Sequence, residues 1–235
     1  MLAGRPGSRI VTVFTSGGPV PGWVPGWEGL SGLWQPGDDV SAARRAEDEL
    51  VMTLLAAEPA HLGFTDLQYR IGPPPRSLAL RPWYRLAAYR RAHSRELGRR
   101  VEARLQAEIA LSKLQTWLVP LGLRHTDHKL VARACRRVAS ALPDRRWVIY
   151  EELPYAREPS AQGAAALAGL SHAGWAISPL EPAGPAEDGA KRQLVACYQS
   201  QLKALGDGVD IALAGPEKYY SLSAQGKPPP LKLLL

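Results

Sequence analysis

The chain has 235 residues, 46% of them hydrophobic, and a formal net charge of +7. This length and composition allow one sizeable core, so we expect one domain over residues 1–226 and a loose Pro- and Leu-rich tail over 227–235. We expect neither secretion nor a membrane-spanning segment, because the sequence contains no signal-like run and no apolar run of sufficient length. Its two cysteines have no CxxC-type partner, which favours small core residues in a reducing, cytoplasmic compartment.

Segments typical of strands alternate with segments typical of helices, which predicts an α/β domain with a mainly parallel sheet. The predicted strands are 9–14, 62–67, 117–119, 147–150 and 174–179, and the predicted helices are 41–57, an arginine-rich segment within 76–104, 128–141 and 191–205. The Gly-, Pro- and Trp-rich stretch 17–37 is predicted to be a loop. Loops at the carboxyl ends of such strands build the ligand crevice.

The excess positive charge is concentrated in one segment. Between Arg76 and Arg104 there are nine arginines and two glutamates, so the rest of the chain is neutral. We interpret the segment as a solvated amphipathic helix. The alternative is an anion-binding surface for phosphate, nucleic acid or an acidic membrane, but no RNA-binding, zinc-finger or helix-turn-helix pattern accompanies it, so no nucleic-acid partner is expected.

Two histidines stand three residues apart where a predicted strand gives way to a predicted helix. Asp127 occupies the position expected for the helix N-cap, because its carboxylate can accept from first-turn amides. His128 would then be the first helical residue, where the helix dipole keeps the imidazole neutral, the form that binds metal. His125 would lie just outside the helix and face a substrate. This region is therefore the candidate metal site.

Four motifs, in this order, resemble those of the PIG-L or LmbE-like family of zinc-dependent de-N-acetylases. They are the strand Ile10–Thr15 leading into the Gly- and Pro-rich loop, Arg44-Arg45-Ala46-Glu47-Asp48, the Pro-Leu-Gly strand end with His125-Thr126-Asp127-His128, and Tyr150-Glu151-Glu152-Leu153-Pro154-Tyr155-Ala156. Weaker agreement continues to 217–220, so the similarity covers nearly the whole chain. The resemblance implies a three-layer Rossmann-like fold and removal of acetyl groups from N-acetylated sugars on lipids, thiols or antibiotics.

The resemblance also implies roles for individual residues. His128 would be a zinc ligand, His125 would stabilise the oxyanion or protonate the leaving amine, and Asp127 would orient His125. The candidate substrate-binding residues, which would hold sugar hydroxyls or line the pocket mouth, are Arg44, Asp66, Glu152 and Tyr155. A surface role for Arg44 and a simple Leu-Pro turn around Glu152 are the alternatives. The implied reaction is attack of metal-activated water on the amide, with a carboxylate base and a histidine acid.

A catalytic zinc centre takes three protein ligands, and this chain supplies one member of the family's set. The resemblance places the other two ligands and the general base in a His-x-x-Asp motif on a strand before residue 9, so we expect that first, central strand to be missing. The segment 35–39 lacks a histidine and is not a substitute. A start codon placed too far downstream, a real truncation and completion by a separate polypeptide are the alternatives, and the gap should leave the fold marginal.

The leading hypothesis is a Zn²⁺-dependent hydrolase that deacetylates an N-acetylated sugar, glycolipid or glycoconjugate. One alternative is a truncated, catalytically dead relative that binds a sugar or a partner through the same crevice. Another is an anion- or nucleic-acid-binding module built on the arginine-rich segment. The sequence leaves homo-oligomerisation open.

Overall fold

The protein is described by a computed structural model that covers residues 7–18, 38–71, 78–92, 94–153, 162–181, 188–205 and 217–224. Its strands and helices confirm the α/β class. The chain divides into two compact units. We name the one formed by 2–94 and 187–213 the first unit, and the one formed mainly by 95–186 and 214–235 the second unit. The single domain over 1–226 stays a prediction, and the tail 227–235 lies outside the described residues.

The first unit contains a two-stranded parallel sheet and its helices. Its elements are β1 (Arg9–Ser16), α1 (Val40–Leu54), β2 (Glu58–Thr65), α2 (Leu67–Ile71), a 3-10 turn (Leu78–Leu80), α3 (Arg81–Ala92), α7 (Asp188–Ala196) and α8 (Gln199–Leu205). β1 forms because its β-branched residues suit a pleated, half-buried surface. It runs parallel to β2 from the pair Arg9 and Glu58 to the pair Ser16 and Thr65. The buried side chains of this unit include Val13, Val40, Val51, Met52 and Ala60.

The second unit contains a mixed four-stranded sheet. Its elements are α4 (Arg95–Leu111), β3 (Thr116–Pro120), α5 (Thr126–Ala141), β4 (Arg146–Tyr150), α6 (Gln162–His172), β5 (Trp175–Leu180) and β6 (Tyr219–Ala224). The strand order is β3-β4-β6-β5, with β3 parallel to β4 and β6 antiparallel to both of its neighbours. α4 packs against α5 through apolar side chains at helical spacing. The buried residues of the two helices include Val101, Leu105, Ile109, Leu130, Cys135 and Val138.

Several elements differ from the sequence-based expectations, and the helices α2 and α6 were not predicted. β2 begins at Glu58 instead of residue 62, because its pairing with β1 starts there. The arginine-rich segment forms two helices, α3 and α4. The predicted helix 191–205 is broken between α7 and α8, where the Glu47 carboxylate accepts from the backbone N–H of Ser200 and so replaces a helical carbonyl acceptor. β6 was not predicted, and its antiparallel pairing makes the sheet of the second unit mixed.

Among the described strands, β1 pairs with β2 alone and β3 pairs with β4 alone. The expected missing strand between them stays a prediction. None of the described helices combines the length and the apolar character needed to cross a bilayer.

Candidate functional site

The turn between β3 and α5 positions the two histidines. Leu121 and Leu123 are buried on either side of Gly122, whose φ is +94°, and Arg124 also has a positive φ of +46°. A Cβ atom at Gly122 would lie 2.8 Å from the Cβ of Ala132 on α5. Glycine is therefore required both by the backbone conformation and by the close approach of the helix. This turn therefore connects the carboxyl end of the parallel strand β3 to the start of α5.

The N-cap of α5 is His125, and the expectation that Asp127 caps the helix is wrong. The helix begins at Thr126, and the Nδ1 atom of extended His125 accepts from the backbone N–H of Asp127 at 3.3 Å. Asp127 is instead a buried residue of the first helical turn, where its negative charge interacts favourably with the helix dipole. His128 is in the same turn, as the third helical residue instead of the expected first.

Glu152 lies in the loop after β4 and holds this turn in place. Its side chain is only 5% exposed. Its carboxylate accepts from the backbone N–H of Gly122 at 2.9 and 3.2 Å and from that of Leu123 at 3.1 Å. The same Oε1 atom lies 3.3 Å from Nδ1 of His128. Glu152 therefore places a carboxylate oxygen beside the imidazole, on the side opposite its Nε2 atom, as an electrostatic contact without hydrogen-bond geometry.

These contacts favour opposite tautomers for the two imidazoles. Because Nδ1 of His125 accepts a hydrogen bond, the proton of the neutral ring is on Nε2. Because a carboxylate oxygen faces Nδ1 of His128, electrostatics favour the proton there and leave the lone pair on Nε2. The ring centroids are 5.4 Å apart with an angle of 61° between the planes. The pair thus combines a hydrogen-bond donor with a Lewis base.

A second carboxylate in the same loop connects it to β6. The hydroxyl of Tyr220 donates to Oε1 of Glu151 at 2.7 Å, and Nζ of Lys218 lies 3.7 Å from Oε2. Burial and, to a smaller extent, the hydrogen bond to Glu151 raise the pKa of Tyr220 to about 12. Glu151 is itself buried and is bonded through its backbone N–H to the carbonyl of Lys218. Sequence reasoning gave these residues no role; the weak motif agreement at 217–220 was the available signal.

The described residues were searched for the ligands of the predicted zinc site. His128 has the donor chemistry of a zinc ligand, with a carboxylate behind its other nitrogen. However, no three His, Cys, Asp or Glu side chains are grouped to hold a metal in the part of the chain that the structure describes. Of the segment 35–39, residues 35–37 lie outside the described residues, and Asp39 caps α1 by accepting from Ala42 N at 2.8 Å. The residues described here therefore do not by themselves complete a zinc centre.

In the first unit the structure brings together two of the predicted substrate-binding residues. Nη1 of Arg44 on α1 lies 3.4 Å from Oδ2 of Asp66, just after β2, and both side chains are about a quarter exposed. Asp66 is fixed by its backbone N–H, which donates to the carbonyl of Ser16 at the end of β1. Burial raises the pKa of nearby Tyr69, with Arg44 acting in the opposite direction. The predicted site residue Tyr155 lies outside the described residues.

Glu47 and Asp48, which follow Arg44 on α1, bond to neighbouring elements of the first unit. Glu47 accepts from both the backbone N–H and the hydroxyl of Ser200, at 2.7 and 2.5 Å. Asp48 accepts from the hydroxyl of Thr12 at 2.9 Å and lies 3.4 Å from Nε2 of His61. Burial and a hydrogen bond to Asp48 raise the pKa of Tyr198. The motif on α1 therefore connects β1, β2 and α8.

Comparisons with known proteins place the fold. No family model matches the sequence, and no curated protein matches it. The structure is similar to the crystal structure of the A40926 pseudoaglycone deacetylase Dbv21, with a TM-score of 0.65 and 20% identity over 94% of this chain and 87% of that one. It is also similar to the zinc-inhibited form of teicoplanin deacetylase Orf2, with a TM-score of 0.64 and 19% identity over 93% of this chain and 88% of that one.

A third similar structure is a deacetylase–teicoplanin complex from the biosynthesis pathway of teicoplanin, with a TM-score of 0.61 and 18% identity over 92% of this chain and 86% of that one. Identities at this level establish a shared fold, whereas function has to be argued from the site. The chain therefore has the Rossmann-like α/β fold of these deacetylases.

Proposed function

We propose that the protein is a zinc-dependent hydrolase that removes an acetyl group from an N-acetylated sugar or sugar conjugate. The observation that carries this proposal is the histidine pair at the start of α5, with the buried Glu152 carboxylate 3.3 Å from Nδ1 of His128. The resemblance of the four sequence motifs and the fold shared with the A40926 pseudoaglycone and teicoplanin deacetylases support the same reaction class. In that reaction the oxygen of water adds to the amide carbon, the C–N bond breaks, and acetate and an amine are released.

His128 and His125 have different proposed roles. Nε2 of His128 would be a zinc ligand, held in the correct tautomer by Glu152. Nε2–H of His125 would donate a hydrogen bond to the oxygen that becomes negative in the tetrahedral intermediate, or pass a proton to the leaving nitrogen. Asp127 would contribute through its backbone N–H, which fixes the His125 ring. Glu152 is therefore proposed as a positioning residue for His128.

Arg44 and Asp66 stay predicted substrate-binding residues. Arg44 and Asp66 retain partial exposure, and their charges and hydrogen-bonding groups suit sugar hydroxyls. An N-acetylated hexosamine on a glycoconjugate or glycolipid is the proposed substrate, since the neighbouring structures carry the names of an A40926 pseudoaglycone deacetylase and a deacetylase–teicoplanin complex. Contacts of substrate with Glu152 and Tyr155, a cytoplasmic location and homo-oligomerisation stay predictions.

The proposed zinc site also needs ligands other than His128. No histidine among the 235 residues is followed three positions later by aspartate, so the His-x-x-Asp motif implied by the resemblance is not within this sequence. We infer that such a motif must be supplied from outside these residues for catalysis. A catalytically dead relative that binds sugar is the second candidate, favoured by the lack of a three-ligand group in the described part of the chain.

The test compares this chain with a longer form that includes a His-x-x-Asp segment, both incubated with Zn²⁺ and an N-acetylglucosaminyl glycopeptide. The longer form should bind one zinc ion and release acetate, and this chain should bind zinc weakly, because one imidazole alone is a poor site. Zinc binding without acetate release from any N-acetylhexosamine conjugate would favour the sugar-binding alternative.

Variants of the longer form separate the two histidine roles. His128→Ala should lose both zinc and turnover, whereas His125→Ala should retain zinc and lose turnover. His172→Ala is the matched control, since this histidine is exposed on α6 and should leave both properties unchanged. Equal loss of zinc in the first two variants would contradict the assignment of roles.

A further inference from the structure

An exposed apolar surface runs along α3 and the turn before it. The large hydrophobic side chains concerned are strongly exposed: Leu80 by 54%, Trp83 by 71%, Leu86 by 43% and Tyr89 by 61%. We name these four residues the aromatic face of α3. Single exposed apolar side chains are ordinary, but four on consecutive turns of one short segment form a contiguous patch, which marks an interaction site.

The helical repeat groups the exposed residues on one side. With 3.6 residues per turn, Trp83, Leu86 and Tyr89 fall within an arc of roughly 120°. Arg90 falls within the same arc and is also exposed. Tyr84, on another side of α3, is partly buried, so the helix has a distinct inward side. The aromatic face is therefore a directional surface with at least one cation within it.

The stretch of sequence that contains this face carries charge of one sign. Residues 67–95 contain seven arginines and no aspartate or glutamate. Arg70 is occupied internally, with its guanidinium 5.0 Å from the Phe14 ring centroid, whereas Arg81 and Arg90 are exposed. On α4, by contrast, Arg99 is paired with Glu96 at 2.8 Å. In the described part of the chain no carboxylate pairs with Arg81 or Arg90; of the two, Arg90 lies within the arc of the aromatic face and Arg81 lies roughly 80° outside it.

We propose that the aromatic face of α3 docks on an anionic lipid bilayer surface. Tryptophan and tyrosine favour the boundary between headgroups and acyl chains, leucine favours the acyl region, and arginine favours anionic headgroups. A nucleic acid would pair with the arginines but would leave Leu80 and Leu86 in water. The combination of exposed apolar side chains with unneutralised cations therefore favours lipid. This inference does not depend on the deacetylase proposal.

The experiment measures sedimentation of this chain with vesicles of phosphatidylcholine alone and of phosphatidylcholine with phosphatidylglycerol. The wild-type protein should sediment with the anionic vesicles and remain in the supernatant with the zwitterionic ones. The double variant R81Q/R90Q should bind anionic vesicles on the order of thirtyfold more weakly, since each surface arginine contributes roughly a fivefold factor. W83A/Y89A should reduce binding by at least tenfold, because these two side chains bury apolar area in the interface.

Two control variants keep the interpretation specific. R99Q/R137Q removes the same net charge from exposed arginines of α4 and α5 and should change vesicle binding by less than threefold. L111A removes a leucine that is 87% exposed at the end of α4 and should have no effect. Far-UV circular dichroism of each variant should match that of the wild type, because all substituted side chains are exposed.

Three results would overturn the proposal. One is equal binding to zwitterionic and anionic vesicles. Another is an equal loss of binding in R99Q/R137Q and R81Q/R90Q, which would indicate nonspecific charge attraction. The third is tighter, R81Q/R90Q-sensitive binding to a short DNA or RNA duplex than to anionic vesicles at the same ionic strength, which would assign the surface to a nucleic acid.

Discussion

Removal of the Glu152 carboxylate tests the framework of the candidate site. In Glu152→Ala the backbone N–H groups of Gly122 and Leu123 lose the acceptor that now lies 2.9 to 3.2 Å away. Each buried donor left without an acceptor costs about 1–3 kcal/mol. Two such donors would cost about 2–6 kcal/mol, and water entering the vacated space lowers this to about 2–4 kcal/mol.

Glu152→Gln removes the negative charge of the side chain but keeps its shape. The amide keeps one carbonyl oxygen as an acceptor but turns an NH₂ group toward a second donor or toward His128. We expect a loss of about 1–2 kcal/mol in the free energy of unfolding. Urea denaturation monitored by circular dichroism measures both variants, and amide hydrogen exchange at Gly122 and Leu123 reports the local effect.

The matched control is Glu102→Ala on α4. Its carboxylate is 2.9 Å from Arg137, and its side chain is 28% exposed, so it forms an ion pair that water reaches. Such pairs contribute less than about 1 kcal/mol. A Glu152→Ala protein within about 0.5 kcal/mol of the wild type, with unchanged exchange at the two amides, would refute the framework role of Glu152.

Three further outcomes are expected. Gly122→Ala should lower the free energy of unfolding by about 1–3 kcal/mol, because Gly122 has a positive φ and its Cβ would lie 2.8 Å from Ala132. Gly98→Ala should raise the free energy of unfolding by up to about 1 kcal/mol, because Gly98 is inside α4 and its Cβ position is open. Thermal and urea unfolding measure both variants. Burial raises the pKa of the Cys135 thiol to about 12, so an aromatic disulfide reagent at neutral pH should modify half-buried Cys197 first, and rapid reaction of both thiols would contradict the buried position. Glu47→Ala should increase hydrogen exchange throughout α8 by removing the acceptor for two hydrogen bonds, an effect absent if α8 is held by other contacts.

The sequence predicted the elements whose hydrophobic period is clear. β1, β3 and β4 were predicted to within about two residues of their observed ends because short apolar, β-branched runs are typical of strands. α5 was predicted because its buried residues recur at helical spacing. β6 was missed because Tyr219–Ala224 has little alternation to distinguish it from a loop, and its position depends on pairing with strands far away in the sequence.

The site could be predicted only in part. The histidine motif indicated the correct turn, but the N-cap was assigned to Asp127 because histidine is not among the usual capping residues. The contact between Glu152 and Gly122 joins residues 30 positions apart, so no local pattern reveals that this carboxylate is buried beneath the turn. Arg44 and Asp66 were each predicted as substrate-binding residues, but their 3.4 Å contact was not predicted, because it joins a helix to the end of a strand 22 positions later.

The tautomers of the two histidines provide the most direct test of the central claim, which is that Glu152 prepares His128 as a metal ligand beside a donor His125. Long-range ¹H–¹⁵N correlation spectra of this chain, recorded above the ordinary histidine pKa, distinguish protonated from unprotonated ring nitrogens. We expect the proton on Nδ1 of His128 and on Nε2 of His125. We also expect the His128 tautomer to become mixed in Glu152→Ala. A proton on Nε2 of His128 in the wild-type protein would contradict the account.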